Sequence, residues 1–420
     1  MHKSLILFLI GAFSMTQLRI VGYIGVSELI MLGLSPYVFF RNAKLLRQHG
    51  FMPLLTLAAL WGLSALATDL YRQNIFVNTI RGIAPPIAVM AGTICIHALL
   101  HDDLRRFKWL LVGFSVTVFL STFILQPGSS SAGAAEQGIS ATKAVLGYKL
   151  TLLSMVSAIV VLPVQLAYLR IPFVSAILTV LLAIFALLQG GRSAFLCLLL
   201  AAGMQLLVGG QTSRIRRVTR MALPLLAVLL AVSWGASKIY GYSAMHGYMG
   251  EDERVKYEEQ AAKKIGVLSG RLDFMGSLLA IRDSPILGHG SWRPDYEGYM
   301  LKAMDMIDDR EGAEMYLSSN AIGWIPGHSH IWGSWVANGI FGGVFWVFVL
   351  VLLWRFVFND LAVFPAMYGY FSLLLPGFIW DILFSPFGNR QQKVAAIVLV
   401  LLVRNVHAMQ KRQMAAAYSR

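Results

Sequence analysis

The residue whose chemistry stands out most in the sequence is a histidine in a short polar segment. His328 lies in the segment 326–330, directly before a long apolar run. A neutral imidazole at the mouth of a membrane cavity can act as a general base near neutral pH. The alternative interpretation is a solvated histidine at the membrane interface, beside a helix that Ser329 caps. His330 and His289 are rivals for the same catalytic role.

A metal site at these histidines is the less favoured interpretation. His328 and His330 are separated by one residue, and two histidines so placed can bind a metal ion. The sequence has neither an HExxH motif nor an Asp-x-Asp pair to accompany them. Asp308 and Asp309 form an acidic pair, but their neighbours are typical of a solvated helix face. We therefore predict no metal centre, and no cofactor either.

Two arginines stand where an anion can bind. Arg192 follows a Gly-Gly pair and opens an apolar run, whereas Arg271 follows a Ser-Gly pair and opens an amphipathic segment. The N-terminus of a helix has free N–H groups and a partial positive charge. This charge repels an arginine at the same place unless an anion binds between the two. This pairing is typical of a phosphate site. The alternatives are a snorkelling interfacial arginine at position 192 and a surface pair between Arg271 and Asp273.

Two further cations are less specific candidates for anion contacts. Arg81 stands next to Gly82 and ahead of a Pro-Pro pair. A helix broken at this point can line a cavity, so Arg81 can face the same outer site. Lys149 lies near the predicted outer end of an apolar run. Neither spacing by itself excludes an ordinary interfacial charge.

The composition determines what kind of protein carries these groups. Hydrophobic residues make up 57% of the 420 residues and charged residues 13%, against about 45–50% and about 25% in soluble domains. A larger core does not explain the excess, because single cores stop growing near roughly 250–300 residues. An ordinary soluble enzyme, a disordered chain and a peripheral membrane protein are therefore excluded. The net charge of +14 is attributed to basic cytoplasmic loops, not to nucleic-acid binding.

The apolar residues recur in long runs that predict an all-α polytopic integral membrane protein with about 12 transmembrane helices. Arginines in the segment 214–220 are assigned to the cytoplasm by the positive-inside rule, and the remaining basic clusters then place both termini there. Residues 1–238 hold helices 1–9, and residues 331–420 hold helices 10–12 and a basic tail. The runs lie near 4–18, 20–40, 52–69, 75–98, 109–126, 146–169, 172–189, 193–210, 221–238, 331–354, 361–384 and 392–409.

One long hydrophilic stretch interrupts the apolar runs. Residues 239–330 contain fourteen of the 21 acidic residues, which predicts a small, largely helical domain outside the cytoplasm. Within it, the segments 252–265 and 271–283 have helical patterns. The Gly- and Ser-rich segment 127–145 predicts a flexible outer loop.

Three stretches, in this order, resemble the O-antigen ligase and polymerase family, which are bacterial integral membrane glycosyltransferases. The segment 190–193, Gly-Gly-Arg-Ser, is similar to the family's small-residue-Arg-Ser/Thr stretch. The segment 269–271 with 283–290 is similar to S-G-R, helix, D-x-P-[IL]-x-G-x-G. The segment 328–342 is similar to the ligase motif H-[NSQ]-x9-G-x2-[GTY], with Ser329 where many members have Asn.

The resemblance implies a function and a site. The donor would be an O-antigen chain on undecaprenyl diphosphate, and the acceptor a sugar hydroxyl of the lipid A–core oligosaccharide. Arg192 and Arg271 would contact the diphosphate, and His328 would be the catalytic histidine. The site would face the periplasm from the bacterial inner membrane, with membrane lipids as its other partners.

Two other functions remain open. A polymerase of the same family extends lipid-linked repeat units, but the H-[NSQ]-x9-G match favours the ligase. A transporter of a lipid-linked saccharide also suits twelve spans with both ends inside. Transporters place polar residues near the midplane of internally similar halves, however, and the sequence shows no such halves.

Overall fold

The structure is a computed structural model that describes most of the chain. It covers residues 2–14, 16–19, 23–46, 50–120, 172–188, 192–208, 272–318, 323–360, 365–385 and 390–418, with single residues and short pieces between 235 and 258. The described chain is mostly helical, which confirms the predicted all-α class. The predicted loop 127–145 and the apolar run 146–169 lie outside the described residues, as do most of the run 221–238 and of the segment 252–265.

The described helices overlap the apolar runs, except for those within the hydrophilic 239–330 stretch. They are α1 (His2–Ala12), α2 (Val26–Leu46), α3 (Phe51–Tyr71), α4 (Phe76–Leu100), α5 (Phe107–Leu120), α6 (Pro172–Leu188), α7 (Arg192–Val208), α8 (Leu272–Asp283), α9 (Tyr299–Met306), α10 (Arg310–Ser318), α11 (His330–Asn338), α12 (Ile340–Asn359), α13 (Pro365–Phe384) and α14 (Arg390–Tyr418). Between α1 and α2, strands β1 (Gln17–Arg19) and β2 (Tyr23–Gly25) pair antiparallel. This strand pair occupies the boundary between the first two apolar runs.

Four of the described helices are long and apolar enough to cross a membrane. They are α3, α4, α12 and the Lys393–Gln410 part of α14. Shorter apolar helices occur within α1, α6, α7 and α13. Helices of this length and composition are typical of a membrane protein. The number of twelve spans stays a prediction.

The core is built around α14. Every residue from 394 to 403 is buried, as expected for a helix that is apolar on all sides. α4 and α12 pack against α14, and α3 packs against both α4 and α12. Where α3 meets α12, the Trp61 ring lies 5.1 Å from that of Phe345 and 6.0 Å from that of Trp346. This block of packed helices supports the polar groups at its end.

The tenth apolar run is not one continuous helix. We predicted a single span over 331–354, but α11 ends at Asn338 and α12 begins at Ile340. Gly339 separates them with φ 72° and ψ −163°, a backbone conformation that favours glycine. A Cβ atom at this position would overlap with the carbonyl oxygen of Ile286. The run is broken because another segment of the chain packs directly against Gly339.

Candidate catalytic site

His328 lies in an exposed position beside two helix starts. Its Nδ1 atom is 3.2 Å from Oδ2 of Asp273, and 66% of its side chain is exposed. Asp273 lies in the first turn of α8, the helix predicted over 271–283 and confirmed as Leu272–Asp283. The hydrogen bond from the imidazole to the Asp273 carboxylate raises the pKa of His328. The structure therefore presents an accessible imidazole whose second nitrogen, Nε2, is directed away from the carboxylate.

The segment before His328 is attached to α8. Ser277 Oγ donates a hydrogen bond to the carbonyl oxygen of Pro326 at 2.9 Å. Farther along, the rings of Phe274 and Trp332 meet edge to face at 5.4 Å. Gly276 allows this approach, because a Cβ there would come within 2.8 Å of the Pro326 ring. Packing between α8 and α11 thus brings Asp273 to His328.

Ser329 caps α11, as one of the two interpretations of this segment predicted. Its Oγ accepts a hydrogen bond from the backbone N–H of Trp332 at 3.0 Å, which satisfies one of the free donors at a helix start. The same hydroxyl donates to the carbonyl oxygen of Ile382 on α13 at 3.1 Å. The cap therefore also joins the start of α11 to the end of α13.

His330 lies in a different environment from His328. It is 1% exposed, and its Nδ1–H donates to the carbonyl oxygen of Ser385 at 2.7 Å. Its Nε2 then accepts from the Lys393 ammonium at 2.9 Å, and Lys393 lies 3.0 Å from Oδ2 of Asp381. His330 is therefore a neutral, buried link between α11, α13 and α14.

The segment that follows α8 closes over the break between α11 and α12. The backbone N–H groups of His289 and Gly290 donate to carbonyl oxygens at the end of α11, at 2.8 and 3.0 Å, and Ile340 N–H donates to Ile286 at 3.0 Å. Gly288 and Gly290 have φ values of 79° and 96°, which explains both glycines of D-x-P-[IL]-x-G-x-G. The second and third motifs thus form one packed unit.

His289 is a structural histidine in this unit. It is buried, and its Nε2–H donates to the carbonyl oxygen of Ala280 at 2.8 Å. Its ring packs edge to face on Tyr299 at 5.3 Å. Because the ring nitrogen is used within the fold, His289 does not compete with His328 for an external proton.

Residues at the end of α3 support this segment, and sequence reasoning missed most of them. Arg72 Nη2 donates to Ser284 Oγ and to the carbonyl oxygen of Gly288, both at 3.0 Å. Asp69 Oδ1 accepts from the backbone N–H of Ser291 at 2.7 Å. The available signal was a pair of charges at the end of an apolar run, where a charge is costly unless it is paired.

Of the predicted cations Arg192, Arg271 and Lys149, the structure describes only the backbone of Arg192. α7 begins at Arg192, where the sequence predicted a helix start; the Arg192 side chain, Arg271 and Lys149 lie outside the described residues. α7 packs against α13, the helix that carries Asp381 of the His330 network.

Arg81 requires a correction. We expected a helix broken around Arg81 and the prolines, but α4 runs through Pro85 and Pro86 without interruption. A tightly packed neighbour supports this stretch, because a Cβ placed at Gly62 on α3 would come within 3.5 Å of the Pro86 ring. Arg81 is partly buried, with its guanidinium 6.0 Å from the centre of the Trp292 ring.

Comparison with protein-family models, curated proteins and solved structures gives no match for this chain. The family resemblance depends on the three motifs alone. Two of them, the α8 segment and the His328 segment, pack together and bring Asp273 to His328.

Proposed function

We propose that the chain is a membrane glycosyltransferase of the O-antigen ligase type. It transfers a polysaccharide from undecaprenyl diphosphate to a sugar hydroxyl of the lipid A–core oligosaccharide, at the periplasmic face of the inner membrane. The observation that carries the proposal is the exposed His328 imidazole, held by Asp273 between the starts of α8 and α11. This is the arrangement of a general base that a carboxylate orients.

The proposed reaction is a single inverting displacement. Asp273 accepts a hydrogen bond from Nδ1–H of His328, which leaves Nε2 free to take the proton of the acceptor hydroxyl. The acceptor oxygen forms a bond to the anomeric carbon while the bond from that carbon to the diphosphate breaks. The leaving diphosphate takes the electron pair, and Arg192 and Arg271 neutralise its charge. Two arginines can do this without a metal ion.

Accessibility supports His328 over His330 as the base. A base must come within hydrogen-bond reach of the proton it removes. The His328 side chain is largely exposed, whereas both ring nitrogens of His330 already face partners inside the bundle. A bulky saccharide acceptor can approach only the first of the two.

Reconstitution tests the proposal. Purified protein is combined with a polyprenyl diphosphate oligosaccharide and lipid A–core in the presence of a chelator, and the mass of the acceptor is measured. We expect an acceptor of higher mass. His328→Ala should abolish the shift while the protein stays folded, and His246→Ala, at another exposed histidine of the 239–330 stretch, should retain the shift.

Each other outcome has a meaning. Growth of the donor chain without a shift of the acceptor would make the protein a polymerase. Neither product, from folded protein, would favour a transporter. Activity that is lost in chelator and restored by magnesium would contradict the arginine-only mechanism. Activity that is lost with His330→Ala but not with His328→Ala would mean that His330, not His328, is the base.

A further inference from the structure

Two exposed tryptophans form a right-angled pair close to His328. The rings of Trp292 and Trp324 lie 6.2 Å apart at 90°. Their exposed fractions are 52% and 56%. Neither ring is needed to fill the core, so the pair presents aromatic surface to whatever lies outside.

The backbone at Trp292 is held in a costly conformation. Trp292 has φ 55°, in the left-handed region that a bulky residue rarely adopts. Asn78 Nδ2 donates to the carbonyl oxygen of Trp292 at 3.4 Å, and Asn74 Nδ2 donates to that of Ser291 at 2.7 Å. Asp69 Oδ1 accepts a hydrogen bond from the backbone N–H of Ser291. Strain that several neighbours maintain is characteristic of functional sites.

The tryptophan pair is connected to the catalytic histidine. The two segments that carry the rings pair side by side, with a bridge between Pro294 and Trp324 and a hydrogen bond from Ile325 N–H to the carbonyl oxygen of Arg293 at 3.0 Å. Trp324 is four residues before His328, so the two are at most about 14 Å apart along the chain. That distance corresponds to a few linked sugar rings.

The chemistry of the pair suits a saccharide. The face of an aromatic ring is electron-rich, and the C–H groups on one face of a pyranose ring are weakly positive, so the two stack. The Arg81 guanidinium lies 6.0 Å from the Trp292 ring centre, and the exposed Tyr296 hydroxyl lies four residues farther along the chain. Both are donors for sugar hydroxyls.

We propose that Trp292 and Trp324, with Arg81, form a subsite that binds the acceptor saccharide. The proposal rests on the proposed function. The acceptor is favoured over the donor glycan because Trp324 and His328 share one chain segment, and His328 is the group that receives the acceptor proton. Anchoring to lipid headgroups also uses tryptophan, but it needs neither a right-angled pair nor a strained backbone.

Binding of a lipid-free core oligosaccharide to the full-length protein in nanodiscs tests the subsite. Trp292→Ala and Trp324→Ala should each weaken the affinity roughly ten-fold, as expected for a lost aromatic contact. Trp292→Phe should retain most of it. Trp354→Ala is the matched control, since Trp354 is 64% exposed on α12, and should leave the affinity unchanged. In the transfer assay, KM for the acceptor should rise while KM for the donor stays constant.

The subsite is overturned if both alanine variants bind the oligosaccharide as the wild type does. A rise of KM for the donor alone would assign the pair to the donor, and a loss confined to thermal stability or membrane insertion would assign it to anchoring. Both results contradict the proposal. His328→Ala protein should still bind the oligosaccharide through the two tryptophans. If the wild type binds it through the tryptophans but transfers nothing, the proposed function fails and the subsite stands.

Discussion

The Asp273 carboxylate lies 3.2 Å from Nδ1 of His328 and so couples the first turn of α8 to the residue that precedes the cap of α11. The pair is open to solvent on the His328 side. Its effect on proton affinity therefore matters more than its effect on stability, because exposed ion pairs contribute little to folding.

The first prediction concerns pH. Asp273 raises the pKa of His328, and a general base works only when neutral, so the acid limb of kcat/KM should lie above the ordinary histidine value of about 6.5. Asp273→Asn should move that limb to lower pH and also reduce the plateau, since the tautomer is no longer fixed. Measuring kcat/KM from pH 5 to 9 checks both effects.

The Asp273–His328 pair should also make the stability of the protein depend on pH. A group whose pKa is higher in the folded than in the unfolded protein stabilises the fold at pH values below its unfolded-state pKa. This stabilisation is lost as the pH rises through the folded-state pKa. The thermal midpoint of Asp273→Asn should therefore fall below that of the wild type more at pH 5 than at pH 9. Asp308→Asn, at an exposed aspartate paired with Arg310, is the control. An equal deficit at both pH values would contradict the pairing.

The second prediction concerns the buried network. Lys393→Met removes the donor to His330 and the partner of Asp381, and the loss of a charged hydrogen bond should cost about 2 kcal/mol. Thermal unfolding in detergent measures the change. Lys108→Met, at an exposed position, should have almost no effect, and an unchanged midpoint for Lys393→Met would show that the network does not support the bundle.

The third prediction concerns Arg72, which holds the segment after α8. Arg72→Ala removes the hydrogen bonds to Ser284 and Gly288, so the backbone N–H groups of His289 and Gly290 should exchange hydrogen about ten-fold faster or more, since charged hydrogen bonds contribute about 1.5–3 kcal/mol. Exchange detected by mass spectrometry checks this. Arg282→Ala, at an exposed residue of α8, should leave the exchange unchanged.

The fourth prediction compares two glycines. Gly339→Ala places a Cβ against the Ile286 carbonyl at a φ of 72°, so it should lower stability by several kcal/mol or prevent folding, as overpacking combined with backbone strain does. Gly377→Ala on α13, where a Cβ meets nothing within 4 Å, should be neutral or stabilising by up to about 1 kcal/mol. Expression level and thermal midpoint separate the two. Equal behaviour would mean that the break at Gly339 is not required.

Local features were readable from the sequence. Apolar run length predicted the helical class, the 3.6-residue pattern predicted α8, and the residue types around Ser329 predicted a cap at the start of α11. Each of these depends on residues within one or two turns of each other, so neighbouring side chains and backbone decide them. The break at Gly339 could not be predicted from the apolar run 331–354, because it is caused by the packing of a distant segment of the chain.

By itself, therefore, the sequence determined that the chain is apolar, helical and equipped with a few costly polar groups in three short motifs. Only the tertiary structure decided which histidine is exposed and which is buried, since that depends on partners far along the chain. His330 meets Lys393 across 63 positions, and Arg72 meets Gly288 across 216. Contacts between such distant residues form only when whole helices pack, and a pattern within one segment carries no information about them.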